Sequence, residues 1–351
     1  MSANSLILFS PPIVALLLSL AATRWLAAHA GRVLGRLDYP NERSLHRRPV
    51  PRTGGLGVLL GLASAWLMIG LTGAGAEPLG WITLALALVG SVAFVDDLGH
   101  LPPWIRLLVH FAAAAVLVFG GLGLEHLELP GFTLGLPSVV SVGLTLLFAV
   151  WMTNLYNFMD GMDGFAGGMT VFGFGALAFL GWLDGELSYA TAAFSVATAA
   201  AGFLAVNFPP ARIFLGDIGS STLGLLAAGF SLWGAELGLF PLWAAVLAFS
   251  PFIVDATWTL LARLVRRERV WEAHRSHHYQ RLVLAGWSQR KTLLRGYLLM
   301  AAAASCAIAS PQLIAQEQWM LLAAWAIIYG SIHYRVGLVE RLAVSERTCT
   351  P

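Results

Sequence analysis

Long apolar runs separated by short polar stretches make up most of the chain. Runs of about 17 to 25 residues cross a bilayer as helix, and they fall at 5–28, 54–73, 79–95, 105–124, 138–156, 164–183, 188–208, 220–237, 240–262, 294–312 and 318–335. Lipid leaves a helix as the segment that satisfies its own backbone polar groups. The pattern therefore predicts an all-α, polytopic integral membrane protein with about eleven transmembrane helices. The first run is long, has no basic segment before it and ends in basic sequence, so it is expected to stay as a span rather than leave as a signal peptide. Between the fourth and fifth runs, Pro130, Gly131, Gly135 and Pro137 predict turns and a small hairpin within 125–137. No repeat or linker divides the chain, and residues 1–351 read as one membrane-embedded domain.

Composition agrees: 58% of the 351 residues are hydrophobic and 11% charged, which excludes an ordinary soluble domain. The charge that remains is sorted by side. With eleven spans, alternate connections are 29–53, 96–104, 157–163, 209–219, 263–293 and the tail 336–351, and these hold nearly every Lys and Arg. Arg24, Arg106, Arg295 and Arg335 sit at span edges on that same side. The opposite connections carry acids such as Glu77, Glu125, Glu128 and Glu236 and no base. Basic residues gather on the cytoplasmic side, so the N-terminus is expected outside and the C-terminus in the cytoplasm. The net charge of +2 then belongs to topology and to anionic ligands at the inner leaflet, and no nucleic-acid motif appears. Cys306 and Cys349 form no disulfide or metal-ligand spacing.

Carboxylates cluster at the ends of the spans on the basic side. In Asn154-Leu-Tyr-Asn157-Phe-Met-Asp160-Gly-Met-Asp163-Gly164, helical spacing puts Asn154, Asn157 and Asp160 on one face where a span leaves the membrane, and Gly161 and Gly164 allow the chain to turn. Acids beside lipid are costly to keep ionised, and hard oxygen donors near a glycine turn suit Mg²⁺, with Mn²⁺ as the alternative ion. Asp96 and Asp97 follow the third span, an adjacent pair in which one acid binds and the other accepts a proton. Asp217, in Gly216-Asp217-Ile-Gly219-Ser220, can supply a further carboxylate while Gly219 and Ser220 offer amides to a phosphate. Arg48 and Arg52, ahead of the glycine pair 54–55, suit a lipid phosphate at the membrane surface. Loop 263–293 interleaves Arg263, Arg266, Arg267, Arg269, His274, Arg275, His277, His278 and Arg281, a pattern that suits a diphosphate. Asp255, within the ninth span, reads equally as a buried hydrogen-bonded acid or a substrate contact. His29, His100, His110, His126 and His333 show no partner pattern, and interfacial anchoring is the expectation for them.

Together these pieces resemble the polyprenyl-phosphate N-acetylhexosamine-1-phosphate transferases. The matching segments run from His46 to about Gly286: the arginine and glycine segment 46–57, Asp96-Asp97, the Asn/Asp run 154–164, Gly216-Asp217, Pro251 to Asp255, and His277-His278. The resemblance implies attack by the phosphate of undecaprenyl phosphate on the β-phosphate of a UDP-N-acetylhexosamine, giving undecaprenyl-diphospho-sugar and UMP with Mg²⁺. By position it implies that Asn157 and Asp217 hold the metal, that Asp96 is the base, and that Asp97, Asp160 and Asp163 complete the acidic site. Asn154, Asp255, His277 and His278 then fall on the substrate side. Glu272 and Arg275 depart from the Asp-Arg and His-x-His-His pattern of the common-antigen branch, and three successive histidines of the muramoyl-pentapeptide branch are also absent. An enzyme that starts O-antigen or another surface polysaccharide is therefore favoured, using GlcNAc, QuiNAc or FucNAc, in the bacterial inner membrane; a homodimer is compatible with this. The alternatives are a phospho-N-acetylmuramoyl-pentapeptide transferase and, remotely, a secondary transporter of an anionic solute.

Overall fold

The computed structural model describes residues 3–33, 37–39, 49–73, 76–99, 101–269 and 274–349. It is all-α apart from two short ribbons. Helix α1 (Ala3–Val33) bends at His29, and the two-residue strands β1 (Leu37–Asp38) and β2 (Val50–Pro51) pair antiparallel ahead of α2 (Gly54–Leu71). Then come α3 (Glu77–Gly99), α4 (Pro103–Phe119), the hairpin of β3 (His126–Leu129) and β4 (Phe132–Gly135), α5 (Ser138–Met159), α6 (Phe165–Leu183), α7 (Leu187–Asn207) and α8 (Gly216–Glu236). The last part holds α9 (Leu242–Ala248), α10 (Ser250–Val265), α11 (His278–Leu284), α12 (Gln289–Ala309) and α13 (Ala315–Cys349).

Among the described residues, nine helices are long and apolar enough to cross a bilayer, and the α9–α10 pair makes a tenth if it counts as one span. Helix α4, apolar but only 17 residues, stands where the fourth span is expected. The ninth span, expected as continuous over 240–262, is instead bent by 84° between α9 and α10. Pro251, in the first turn of α10, has no N–H to continue the helix through Phe249 and Ser250. The hairpin falls within the expected connection, turning through Pro130 and Gly131.

Helix α8 is the axis of the bundle. It is buried along almost its whole length, and α2, α3, α5, α6 and α9 pack around it. Without water's hydrophobic drive between helices, close packing of small residues holds such a bundle together. At the acid-bearing end, a Cβ on Gly55 of α2 would overlap the backbone of Gly219 on α8. The two helix starts are also stitched by backbone bonds from Gly54 N–H to Phe214 O (2.8 Å), Gly55 N–H to Leu215 O (2.7 Å) and Phe214 N–H to Pro51 O (2.7 Å). Gly216 opens α8 with φ +77°, a left-handed conformation in a space where a Cβ would strike the Arg52 carbonyl.

Candidate functional site

The ends of α2, α3, α4 and α8 meet around a cavity of about 330 Å³ lined by Asp38, Arg52, Asp96, Asp97, Arg106 and Asp217, among others. Asp217, on the first turn of α8, is at its centre. Its Oδ1 accepts from Arg52 Nη2 (3.2 Å) and Asn157 Nδ2 (3.0 Å), and Arg106 Nη1 lies 3.7 Å from Oδ2. Asn157 Nδ2 also donates to Ser220 Oγ (3.0 Å), so α5 and α8 are joined at the site itself.

The adjacent acids of α3 are used differently. Asp96 is buried, with Oδ2 on Arg106 Nη1 (2.7 Å) and Oδ1 accepting from the Leu101 amide (2.6 Å). Asp97 accepts from the amides of Asp217 (3.2 Å) and Ile218 (3.0 Å), the first free N–H groups of α8. A helix N-terminus attracts an anion, and here the anion is Asp97. The amides expected to face a phosphate, those of Gly219 and Ser220, lie inside α8, where Gly219 packs on Gly55 and Ser220 Oγ bonds back to Gly216 O (3.1 Å). That expectation is corrected: the helix end caps a protein carboxylate.

Asp160 ends α5 at the rim of this group. Burial, then the charges of Asp217, Asp97 and Asp163, raise its carboxyl well above the usual carboxylate range, against the pull of Arg52. For Arg52, partial burial works against the charge. The surrounding Asp217, Asp97, Asp38 and Asp160 outweigh that and hold the guanidinium more firmly protonated than usual. Two arginines thus face at least four carboxylates, a balance that favours a further cation.

No three carboxylates or histidines among the described residues are placed to cage a metal by themselves. The oxygen-rich surroundings of Asp217 still suit Mg²⁺, which takes one or two protein ligands and fills its octahedron with water and substrate phosphate. The residues present fit that mode and do not fit an all-protein cage.

Asp163 and Asn154 stand apart from the cavity. Asp163 Oδ2 accepts from the Ala211 amide (2.9 Å), and Asn154 Nδ2 is shared between Val150 O (2.7 Å) and His110 Nδ1 (3.2 Å), tying α5 to α4. His110 therefore has a partner that the sequence did not suggest. Arg48 and Glu272 lie outside the described residues. Asn207 was missed as well: its Oδ1 accepts from Gly164 N–H (2.8 Å) and its Nδ2 donates to Ile213 O (2.8 Å), which holds the acid-bearing turn to the chain entering α8. Its only signal is position, a polar residue at the end of a span before Pro209-Pro210.

A second cluster borders the first. Asp255 on α10 is buried and accepts from the His278 amide (3.0 Å to Oδ1). His278 Nδ1 lies 3.0 Å from the same oxygen and His277 Nδ1 3.5 Å from it. The acid is thus buried and hydrogen-bonded, one of the two readings its position allowed. Tyr279 links the clusters, with its ring centroid 4.9 Å from Phe165, its hydroxyl beside Gly161 and its ring parallel to His277 at 5.9 Å. Arg275 is half-buried, and its Nε has no hydrogen-bond partner among the described residues. Burial, with the charges of His277 and Arg263, lowers His274 to about 4.

A helical membrane protein whose span ends assemble carboxylates and arginines around one polar cavity belongs to the class of membrane enzymes that act on phosphorylated substrates. A model described as glycosyl transferase family 4 matches residues 79–235. A decaprenyl-phosphate N-acetylglucosaminephosphotransferase of Mycolicibacterium smegmatis is 34% identical over 319 residues, covering 82% of this chain and 78% of that protein. The protein of the same name in Mycobacterium tuberculosis strain H37Rv is 32% identical over 298 residues, 76% of this chain and 73% of its own. An undecaprenyl-phosphate alpha-N-acetylglucosaminyl 1-phosphate transferase of Escherichia coli K12 is 25% identical over 355 residues, 96% and 94% of the two chains. The chain belongs to glycosyl transferase family 4, the family of polyprenyl-phosphate sugar-1-phosphate transferases.

Proposed function

We propose that the protein transfers N-acetylglucosamine 1-phosphate from UDP-N-acetylglucosamine to undecaprenyl phosphate, giving undecaprenyl-diphospho-N-acetylglucosamine and UMP, as the first step of O-antigen or another surface polysaccharide. The observation that carries this reading is the gathering of Asp96, Asp97, Asp160 and Asp217 with Arg52 and Arg106 at the ends of separate spans. Phosphoryl transfer between two anions needs alignment and charge neutralisation more than covalent help. The names of the relatives support N-acetylglucosamine as the sugar and a polyprenyl phosphate as acceptor. Membership of a transferase family removes the transporter reading.

The chemistry follows from the residues. Phe94 and Ile218 line both the polar cavity and an apolar groove between α2 and α3, so an amphiphile with a phosphate head has access to the acids from the bilayer. The acceptor phosphate draws Arg52 and Arg106 toward itself by charge. Moving Arg106 frees Asp96 Oδ2, which then takes the last proton of the lipid phosphate. The phosphate oxygen attacks the β-phosphorus, the bond from that phosphorus to the bridging oxygen breaks, and UMP leaves. Mg²⁺, with Mn²⁺ as the alternative, supplies neutralisation of the diphosphate when bound, and Asp217 and Asn157 would hold it. His277 and Arg275 face the sugar nucleotide. The basic residues on the acid-bearing side support a cytoplasmic orientation of the site, in a protein of the bacterial inner membrane.

The test is release of UMP by the purified protein from a panel of UDP-N-acetyl sugars, with undecaprenyl phosphate and Mg²⁺. UMP from UDP-N-acetylglucosamine and none without lipid acceptor is expected. Preference for UDP-muramoyl-pentapeptide, or no turnover of any UDP-sugar, would refute the reading.

A further inference from the structure

Helix α13 lies beyond the family match at 79–235, and little of its length is buried. Two of its side chains nevertheless reach the histidine segment. His333 Nδ1 lies 3.0 Å from His278 Nε2, and the ring of Trp258 on α10 packs on His333 at 4.5 Å. Seven residues on, Glu340 receives two parallel hydrogen bonds from Arg281, one of them 2.8 Å from Nε to Oε1. Seven residues is two helical turns, so both groups project from one side of α13.

We infer that His333 and Glu340 are positioning residues: they clamp α11 to α13 at two points and thereby fix the histidine segment for the sugar nucleotide. The inference rests on the transferase reading given above. Three observations carry it. Helix α11 is seven residues long, too short to hold its own shape or place. Its attachments to α13 are at its first and fourth residues, so one contact sets the position of His278 and the second stops α11 from pivoting. Finally, both ring nitrogens of His278 are engaged, Nδ1 by Asp255 and Nε2 by His333, so this histidine serves as a strut between α10 and α13 while its buried neighbour His277 packs its ring on Tyr279. Because Tyr279 packs on Phe165 next to the Asp160 turn, an error in the placement of α11 passes to the acidic site.

The test uses the full-length protein in detergent or nanodiscs and two readouts. Loss of a charge-assisted or buried hydrogen bond lowers affinity by about tenfold, so His333→Ala and Glu340→Gln should each raise KM for UDP-N-acetylglucosamine by about that factor, with kcat much less affected. His333→Asn, which keeps a polar nitrogen near Nδ1, should recover most of the loss, as should the exchange Arg281→Glu with Glu340→Arg. Trypsin cleavage after the exposed Arg266, Arg267 and Arg269 should be faster in the two disrupted variants and near normal in the restored ones. Wild-type KM in both disrupted variants, or unchanged cleavage, overturns the clamp. If wild-type protein turns over no UDP-sugar while cleavage still responds as stated, the transferase reading fails and the clamp stands.

Discussion

Asp217→Asn separates what this carboxylate does for the fold from what it does for transfer. The side chain keeps its shape and can still accept from Asn157, but the charge facing Arg52 at 3.2 Å and Arg106 at 3.7 Å is gone. At an effective dielectric of about 20, such distances correspond to a gross attraction of roughly 4–5 kcal/mol per pair. Little of that reaches stability. Arg52 is 42% exposed, so water screens it, and pairs of that kind contribute about 1 kcal/mol or less. Arg106 keeps Asp96 at 2.7 Å. The variant should therefore lose only about 1–2 kcal/mol of stability and remain folded in the membrane. Transfer should fall far more, by about 10²–10³-fold, the loss found when one preorganised electrostatic stabiliser is taken from a reacting centre. The Mg²⁺ concentration giving half-maximal rate should rise in parallel. UMP release in nanodiscs, read beside thermal unfolding, checks both. Turnover within a few-fold of wild type, with an unchanged Mg²⁺ requirement, would refute the central place given to Asp217.

Asn207→Ala should destabilise by about 2–4 kcal/mol, since it leaves the Gly164 amide and the Ile213 carbonyl unpaired in a buried place; thermal unfolding in detergent reads this, and an unchanged midpoint contradicts it. Gly55→Val should give little folded protein, because a side chain there meets the α8 backbone at Gly219; a monodisperse gel-filtration profile at wild-type yield would show the contact to be dispensable. The histidine segment should loosen in acid. His274 is lowered from the ordinary histidine value to about 4, so the undocked segment binds the extra proton first, and the stability His274 contributes above pH 6.5 is lost as pH falls toward 4. Hydrogen–deuterium exchange at 274–278, corrected for intrinsic rates, should be faster at pH 5 than at pH 7.5, and equal protection would count against it.

Much of this architecture is legible in one dimension because lipid imposes a simple rule: spans must be apolar and helical, so their limits and the polar residues at their ends show in the sequence. Arg52, Asp96, Asp97, Asn157, Asp160 and Asp217 stand out for that reason, and they do assemble. Hydropathy cannot see direction, so the apolar run 240–262 reads as one rod although Phe249, Ser250 and Pro251 turn it by 84°. Nor can it see partners. Asp163 and Asn154 carry the same motif signal as their neighbours, yet one ties a turn to Ala211 and the other ties α5 to His110. His333 and His278 are 55 positions apart and meet only because α13 returns past α10 and α11. Side-chain pairing across helices depends on rotation and depth in the bundle, and neither is written in the spacing of any one segment.

The adjacent acids Asp96 and Asp97 show what rotation alone can do. Successive residues on a helix point about 100° apart, so α3 aims Asp96 at Arg106 of α4 and Asp97 at the open amides of α8. Identical side chains one residue apart should then fail in different ways. In Asp97→Asn a single carbonyl oxygen replaces two acceptors and the negative charge at the helix start is gone, which should cost about 2 kcal/mol and shift the start of α8 together with Asp217. That variant should lose thermal stability and transfer together. In Asp96→Asn the α8 cap is intact, and Arg106, a third exposed, keeps water and Asp217 as partners. Unfolding should move little, while transfer falls most steeply at the acid end of the pH range, where the lipid phosphate retains its second proton and needs an acceptor. Paired unfolding and pH–rate measurements on the two variants decide the matter: the same stability loss in both, or a pH profile shared by both, would mean that α3 presents two equivalent acids and that the division of labour drawn from their hydrogen bonds is wrong.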